Sequence, residues 1–466
     1  MTPTLRPYQQ TAVDELRTAY RRGFRRPLLA LPTGGGKTYI FSYIAAGAAA
    51  RGGRVLILVH RRELLDQASL SLASIGVDHG CIAPGHAWRP RLAVQVASVQ
   101  TVVRRLDVLA QAGWAPTLIV VDECHHATAG QWARILSHWP TARVLGVTAT
   151  PIRTDGVGLG DVFDTMILGP QIGELIDSGH LSPPRVYAPP QVADFGGVRK
   201  RGGDYDARDL ADRTDKPTVT GDAVAHYRRL CAGAPAVAFC VSVAHADHVA
   251  AQFRADGWQA AAVDGNLDAG ERRRRIADLG AGRLHVLTSC DIISEGTDIP
   301  VIGAAILLRR TQSTGLYLQQ VGRALRVSPG KTHATILDHV GNVAAHGLPD
   351  EPRQWSLDGE RRRATDGEQG PPPPVTCLGC YMQIRRPAPP LCPHCGFALA
   401  QPGREAKLVE VAGELEEVTA VRRELRREQG RARDYEDLVA IGRERGYRSP
   451  TGWARKVIEG RARRVG

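Results

Sequence analysis

The chain has 466 residues, more than one hydrophobic core serves, since domains run to roughly 100–200 residues. Its 43% hydrophobic and 23% charged residues describe a soluble globular protein, and no apolar run approaches the ~18 residues that cross a bilayer, which excludes a membrane span. The net charge of +12 favours a polyanionic partner, because each neutralised phosphate releases counterions; with only six lysines among 60 basic residues, an arginine-rich genome composition accounts for it equally well.

Residues Met1 to Arg6 lack the basic start and apolar stretch of a secretory signal, which predicts a cytoplasmic protein. Cys81, Cys124, Cys231, Cys240 and Cys290 sit singly in apolar or motif segments, the usage of a reducing compartment rather than of a disulfide framework. From Arg26 to about Thr150, short runs such as Val55-Leu56-Ile57-Leu58-Val59 and Leu118-Ile119-Val120-Val121 alternate with helix-like stretches. Continuous Val/Ile/Leu strands separated by helices predict a parallel sheet covered on both faces. The pattern returns in Val237-Ala238-Phe239-Cys240-Val241, His285-Val286-Leu287-Thr288 and Ala304-Ala305-Ile306-Leu307-Leu308, so the fold class is α/β with two lobes in tandem. We expect a first lobe at 1–151, an irregular glycine- and proline-rich connector at 152–217, a second lobe at 218–345, a proline-rich linker at 346–375 that spaces off the rest, a cysteine ribbon at 376–400, and a basic, largely helical tail at 401–466.

The loop Pro32-Thr33-Gly34-Gly35-Gly36-Lys37-Thr38 follows a strand and opens a helix. Its backbone N–H groups can converge on phosphate oxygens, with Lys37 reaching the terminal phosphates and Thr38 binding Mg²⁺. Leu31 stands where the general pattern has its first glycine, so the loop alone also fits a plain glycine-rich turn. Asp122 and Glu123 end an apolar strand, at the edge of an open α/β sheet where ligands bind. Asp122 can hold Mg²⁺ and Glu123 can orient and deprotonate an attacking water; alone, such a pair is as often a helix cap.

Further motifs recur in order: Leu5-Arg6-Pro7-Tyr8-Gln9, Val59-His60-Arg61-Arg62-Glu63-Leu64, Ser98-Val99-Gln100-Thr101, Asp122-Glu123-Cys124-His125, Thr148-Ala149-Thr150-Pro151, Ser294-Glu295-Gly296-Thr297-Asp298 and Gln319-Gln320-Val321-Gly322-Arg323-Ala324-Leu325-Arg326. Over residues about 5 to 340 the chain resembles the superfamily-two helicases and translocases, in the group with an Asp-Glu-x-His box. The resemblance implies two RecA-like lobes and ATP as substrate with Mg²⁺. It implies that Gln9, with Arg6 nearby, reads the adenine, and that Gly296 and Asp298 join the nucleotide site. Thr148, Thr150, His125 and Gln319 would couple that site to a nucleic-acid groove. Arg323 and Arg326 lie one helical turn apart and share a face from which both can reach a γ-phosphate. Nucleic acid would cross the face carrying Arg61, Arg62, Ser98, Gln100, Ser242 and His245, touched through sugar and phosphate. The wording of the motifs looks closer to DNA motors of replication, repair, recombination and restriction than to RNA helicases. An RNA helicase, the motor of a restriction or defence complex with a separate nuclease, and a non-hydrolysing ATP-dependent clamp remain alternatives.

Cys377, Cys380, Cys392 and Cys395 form two Cys-x-x-Cys knuckles eleven residues apart, the spacing of a tetrahedral Zn²⁺ ribbon, with His394 beside the ligands. Ribbon and tail resemble those of bacterial and prophage helicases of this group, and their task would be to grip nucleic acid or a partner protein. Beyond the ribbon, Leu408 to Leu425 has helical spacing interrupted by Gly413, which suits one helix or an early hairpin.

Overall fold

Val55–Val59 is buried on both faces along its whole length, as an apolar run without alternation requires. It lies inside the first of two parallel sheets in the computed structural model, between two other strands. The structure describes residues 4–126, 130–153, 156–188, 197–201, 203–214, 217–290, 302–359, 373–399, 432, 434–444 and 449–462. The chain forms two compact units, residues 1–399 and 400–466.

The first sheet contains β1 (Pro27–Ala30), β2 (Val55–Val59), β3 (His79–Ile82), β4 (Val94–Ser98), β5 (Leu118–Asp122), β6 (Arg143–Thr148) and β7 (Thr165–Leu168), in the order β3-β4-β2-β5-β6-β1-β7. The side-chain period of two sorts each strand onto two cores. Val55, Ile57 and Val59 pack with α1 (Pro7–Arg21), α2 (Lys37–Ala49) and α3 (Arg62–Ser74). Leu56 and Leu58 pack with α4 (Val99–Gln111) and α5 (Gly130–His138).

The second sheet takes β8 (Pro184–Tyr187), β11 (Ala236–Phe239), β12 (Ala260–Val263), β13 (Val286–Ser289), β14 (Ala304–Leu307) and β15 (Ala334–Asp338), in the order β12-β13-β11-β14-β15-β8. Between β8 and β11 come a hairpin of β9 (Lys200–Arg201) and β10 (Asp204–Tyr205), then α7 (Ala207–Thr214) and α8 (Pro217–Cys231). Val237 and Phe239 face one core with α11 (Thr314–Ala324), while Ala236 and Ala238 face the other with α8 and α9 (Val243–Ala255). Helix α10 (Ala269–Gly280) follows β12 and α12 (Asn342–His346) follows β15.

The stretch expected as an irregular connector is largely built into the lobes. β7 pairs with β1 and β8 with β15, with the short α6 (Ile172–Asp177) between them. These strands have four residues each at sheet edges, too short to stand out as strands among the surrounding glycines and prolines. The residues expected to space off the ribbon also fold back: Gly160 N–H donates to Leu357 O at 2.9 Å, and a Cβ on Gly158 would collide with the 357–359 backbone. The ribbon's β16 (Val375–Thr376) and β17 (Gln383–Ile384) pair antiparallel, and the ribbon docks on edge strand β8, with Ala188 N–H donating to Tyr381 O at 3.1 Å and Gln383 Nε2 to Ala188 O at 3.2 Å.

In the second unit, α13 (Tyr435–Glu444) and α14 (Pro450–Ala462) pack around Leu438, Val439 and Ala454. The Leu408–Leu425 pattern lies outside the described residues. Among the described residues no helix is long and apolar enough to cross a membrane.

Candidate active site

The phosphate loop runs from the C-terminal end of β1 into α2. Gly34 and Gly36 have φ of +87° and +84°, conformations that glycine reaches at little cost, and Gly35 N–H donates to Pro32 O at 3.0 Å inside the turn. A side chain at Gly36 would also collide with the amide of Gln9. Leu31, the departure from the general pattern, is fully buried and fills the space over Gly35 and Gly169, where a Cβ would come within 2.7 and 2.5 Å of its side chain. Apolar packing thus holds the loop base where the usual motif uses glycine.

Lys37 Nζ lies 3.4 Å from Leu31 O and 3.8 Å from Glu123 Oε1. Glu123 follows β5 with φ +46°, a strained conformation for this residue, and its N–H donates to Asp122 Oδ1 at 3.0 Å. The turn points the Glu123 carboxylate into the cleft, where its buried Oε2 makes no hydrogen bond among the described residues and stands 3.5 Å from His125 Nδ1. Burial, then the Glu123 and Asp122 carboxylates, hold the Cys124 thiol well above its ordinary value, so this cysteine is an inert filler beneath the acidic pair.

Across the cleft, the last turn of α11 brings Arg323, while Arg326, expected one turn further on the same helix face, lies past the helix end in a bridge with Leu181. One cleft of about 770 Å³ is lined by Arg6, Lys37, Asp122, Glu123, Arg323 and Arg326, with Thr33, Gly34, Gly36 and Thr38 in its wall. The lobes touch beside it: a Cβ on Gly322 would fall 2.7 Å from Thr33 Cβ, and one on Gly34 would fall 2.8 Å from Leu181 Cδ2. Gln9 is buried against the loop, its Oε1 accepting from Arg6 N–H at 3.0 Å and its Nε2 donating to Gly35 O at 3.3 Å.

Residues 2–153 match the family model described as "Type III restriction enzyme, res subunit", and residues 224–328 match "Helicase conserved C-terminal domain". A 51.5 kDa protein of Lactococcus phage (isolate 7-9) is 37% identical over 324 residues, 70% of this chain and 68% of that one. The chain belongs to the superfamily-two helicases. It is 32% identical to the Saccharomyces cerevisiae protein IRC3, named as an ATP-dependent helicase, over 73% of this chain and 52% of that one; the chain thus spans about half of the yeast relative. A fragment of an HsdR-type subunit of a type I restriction enzyme from Vibrio vulnificus YJ016 shares the fold with a TM-score of 0.59, at 22% identity over 75% of this chain and 67% of that one. As in its family, the two lobes are an ATP-hydrolysing helicase core with tandem RecA-like sheets.

Within this helicase, Gly296 and Asp298 lie outside the described residues. His125 Nδ1 is 3.0 Å from Thr148 Oγ1, which donates to Thr150 O at 3.0 Å, and the Thr150 N–H returns to Thr148 Oγ1 at 3.1 Å. Arg61 is half-buried before α3 and Arg62 exposed at its start. Ser98 Oγ donates to Gln100 Oε1 at 2.7 Å, and Gln100 Nε2 to His60 O at 3.3 Å, which gathers the ends of β2 and β4 on one face.

The second-lobe part of that face differs from the expectation. His245 is fully buried, with Nδ1 accepting from Val241 N–H at 3.4 Å, and Ser242 Oγ accepts from His245 N–H at 3.1 Å to cap α9. The serine serves a helix end, and the histidine supports the core instead of meeting a nucleic acid. The motifs also pass over most of the cleft-lining face of α3: Gln67, Leu70 and Ser74 continue from the motif residue Glu63 at helical spacing, a signal present in the sequence. Arg272 on α10, which pairs with Glu63 at 2.5 Å across the lobes, carries no such signal.

The Sγ atoms of Cys377, Cys380, Cys392 and Cys395 lie within 4.8 Å of one another, with Cys377–Cys395 at 3.6 Å and Cys380–Cys392 at 3.7 Å. Four thiolates about 2.3 Å from a tetrahedral Zn²⁺ stand about 3.8 Å apart, so the donor set fits that ion. His394 turns its ring to Tyr187 at 5.5 Å. Burial opposes ionisation of Cys377, yet the Cys380 and Gly379 backbone N–H groups together with the Cys395 and Cys392 thiols hold it down at about 7, while burial pushes the Cys380 thiol up to about 12.

Proposed function

We propose that the chain is a DNA-dependent ATPase that translocates on duplex or branched DNA and unwinds or remodels it. The observation that carries this reading is the single cleft walled by Lys37, Asp122 and Glu123 from one lobe and Arg323 and Arg326 from the other. Lys37 and the two arginines would hold the terminal phosphates and compensate charge that develops in the transition state, while Glu123 orients and deprotonates the attacking water. Thr38 and Asp122, hard oxygen donors lining that cleft, would hold Mg²⁺, which neutralises phosphate charge when bound. Because the arginines belong to the second lobe, hydrolysis is tied to lobe closure, and closure is the stroke. We also read Asp122 to His125 as an Asp-Glu-x-His box and the cysteine cluster as a structural Zn²⁺ ribbon.

DNA rather than RNA is supported by the Leu5-Arg6-Pro7-Tyr8-Gln9 start and by the restriction-enzyme description of the family model matching residues 2–153. That match also favours a second reading, a motor subunit working with a separate nuclease. The test is an ATPase and strand-displacement panel over single-stranded, duplex and forked DNA and RNA at several salt concentrations. Stimulation by DNA is expected, with Glu123→Gln lowering kcat by on the order of 10² or more. Stimulation by RNA and by no DNA would overturn the substrate, and an unchanged kcat in E123Q would revive a non-hydrolysing clamp. Co-purification of a nuclease would select the restriction version.

A further inference from the structure

Arg323 stands in the last turn of α11 and Arg326 two residues past its end, where the terminal carbonyls have no partner further along the helix. Lys331 reaches them from outside. The chain reverses through a turn in which Gly330 has φ +76° and Lys331 N–H donates to Ser328 O at 3.1 Å. The Lys331 ammonium then donates to Ile302 O at 2.7 Å, to Arg326 O at 2.6 Å and to Ala324 O. Three N–H groups meet three carbonyls, so the donor capacity of the ammonium is filled. The carbonyl between these two, Leu325 O, accepts from Ser182 N–H at 2.7 Å, and Arg326 forms a bridge with Leu181, whose side chain lies against Gly34 of the phosphate loop.

We propose that Lys331 is a positioning residue for hydrolysis, tying the backbone that bears Arg323 and Arg326 to the base of β14 and so fixing how far the two guanidiniums project into the cleft. Lys331 does not line the cleft, and so acts only through the helix end. A cation at a helix C-terminus is favoured by the helix dipole, while burial and then the like charge of Arg326 hold its ammonium down at about 8. A position that opposes its own charge and still spends all three donors on this backbone is a placed anchor, not a solvated surface lysine.

The inference rests on the reading of Arg323 and Arg326 as γ-phosphate groups, and the experiment separates the two. Nucleic-acid-stimulated ATPase of the full chain is measured for wild type, Lys331→Met, Lys331→Arg, Arg326→Ala and the R326A/K331M double variant, with thermal melts as a fold control. K331M is expected to lower kcat by about tenfold or more with KM for ATP within about twofold, since the loss falls on transition-state contacts. K331R, which keeps donors for the carbonyls, recovers most of the rate. The double variant loses less than the product of the two single losses, because the part of Lys331's effect that runs through Arg326 is already gone in R326A while the part that runs through Arg323 remains. K331Q, with two donors on a shorter stem, replaces K331M if methionine prevents folding, and falls between K331R and R326A. R326A losing activity while K331M or K331Q keeps half of kcat or more would overturn this inference alone, as would multiplicative losses in the double variant. R326A retaining wild-type kcat would overturn the reading of the arginines and this inference with it.

Discussion

Gln319 Nε2 lies 3.5 Å from His125 Nε2, so α11 of the second lobe meets the acidic segment of the first through one amide and one imidazole. An amide donor there requires His125 Nε2 to accept and Nδ1 to carry the proton, which is then directed at Thr148 Oγ1; Thr148 in turn donates to Thr150 O. The donors run in one direction from the second lobe to the end of β6.

Cutting this line at Gln319→Ala should leave ATP binding intact and weaken the response to nucleic acid. A coupling of 1–3 kcal/mol corresponds to roughly 5- to 150-fold, so the ratio of stimulated to basal ATPase should drop by about tenfold with the basal rate within about threefold. An unchanged ratio in Q319A would show that the lobes communicate elsewhere.

Gly322→Ala should hinder closure. The added methyl would meet Thr33 Cβ at 2.7 Å, and Thr33 Cβ is bonded to the backbone of the phosphate loop and cannot swing away. A misplacement near 1 Å costs roughly 10² in rate, so single-turnover hydrolysis should slow by one to two orders of magnitude while the melting temperature moves little. Wild-type turnover in G322A would mean that hydrolysis does not need this contact.

Glu63 and Arg272 join the lobes at 2.5 Å with side chains 28% and 16% exposed. Exposed pairs contribute about 0–1 kcal/mol and partly buried ones more. A double-mutant cycle of E63Q and R272M on ATPase in the presence of nucleic acid should give a coupling of about 1 kcal/mol that shrinks with salt. Additive effects would assign no closing role to the pair.

Metal analysis should find about one Zn²⁺ per chain, and a strong chelator or Cys380→Ser should unfold the ribbon, whose core is largely its own cysteines with Ile384 and Leu399. Because the ribbon covers the edge of β8 through Ala188 and Gln383, hydrogen exchange should rise at 184–188 as well as at 375–399. Protection of 184–188 that is indifferent to chelation would mean that the docking does not depend on the metal.

Local features are legible in the order of residues alone. The uninterrupted apolar strands, the phosphate loop, the acidic pair and the knuckle spacing are patterns within a few residues of one another, and short-range sterics and period suffice to read them. The lobes, their parallel sheets and the cysteine cluster follow from those patterns. Tertiary structure decided the rest, because it depends on residues distant in sequence. His125 and Gln319 are 194 positions apart and Glu63 and Arg272 are 209. His245 looks like a loop-borne contact in one dimension, but the packing of α9 turns it into the core. β7 and β8 become strands only because β1 and β15 present free edges to pair with, and Lys331 is an ordinary turn lysine until the fold brings three carbonyls to its ammonium. Spacing determined which chemistry the chain carries; long-range packing decided which side chains meet to perform it.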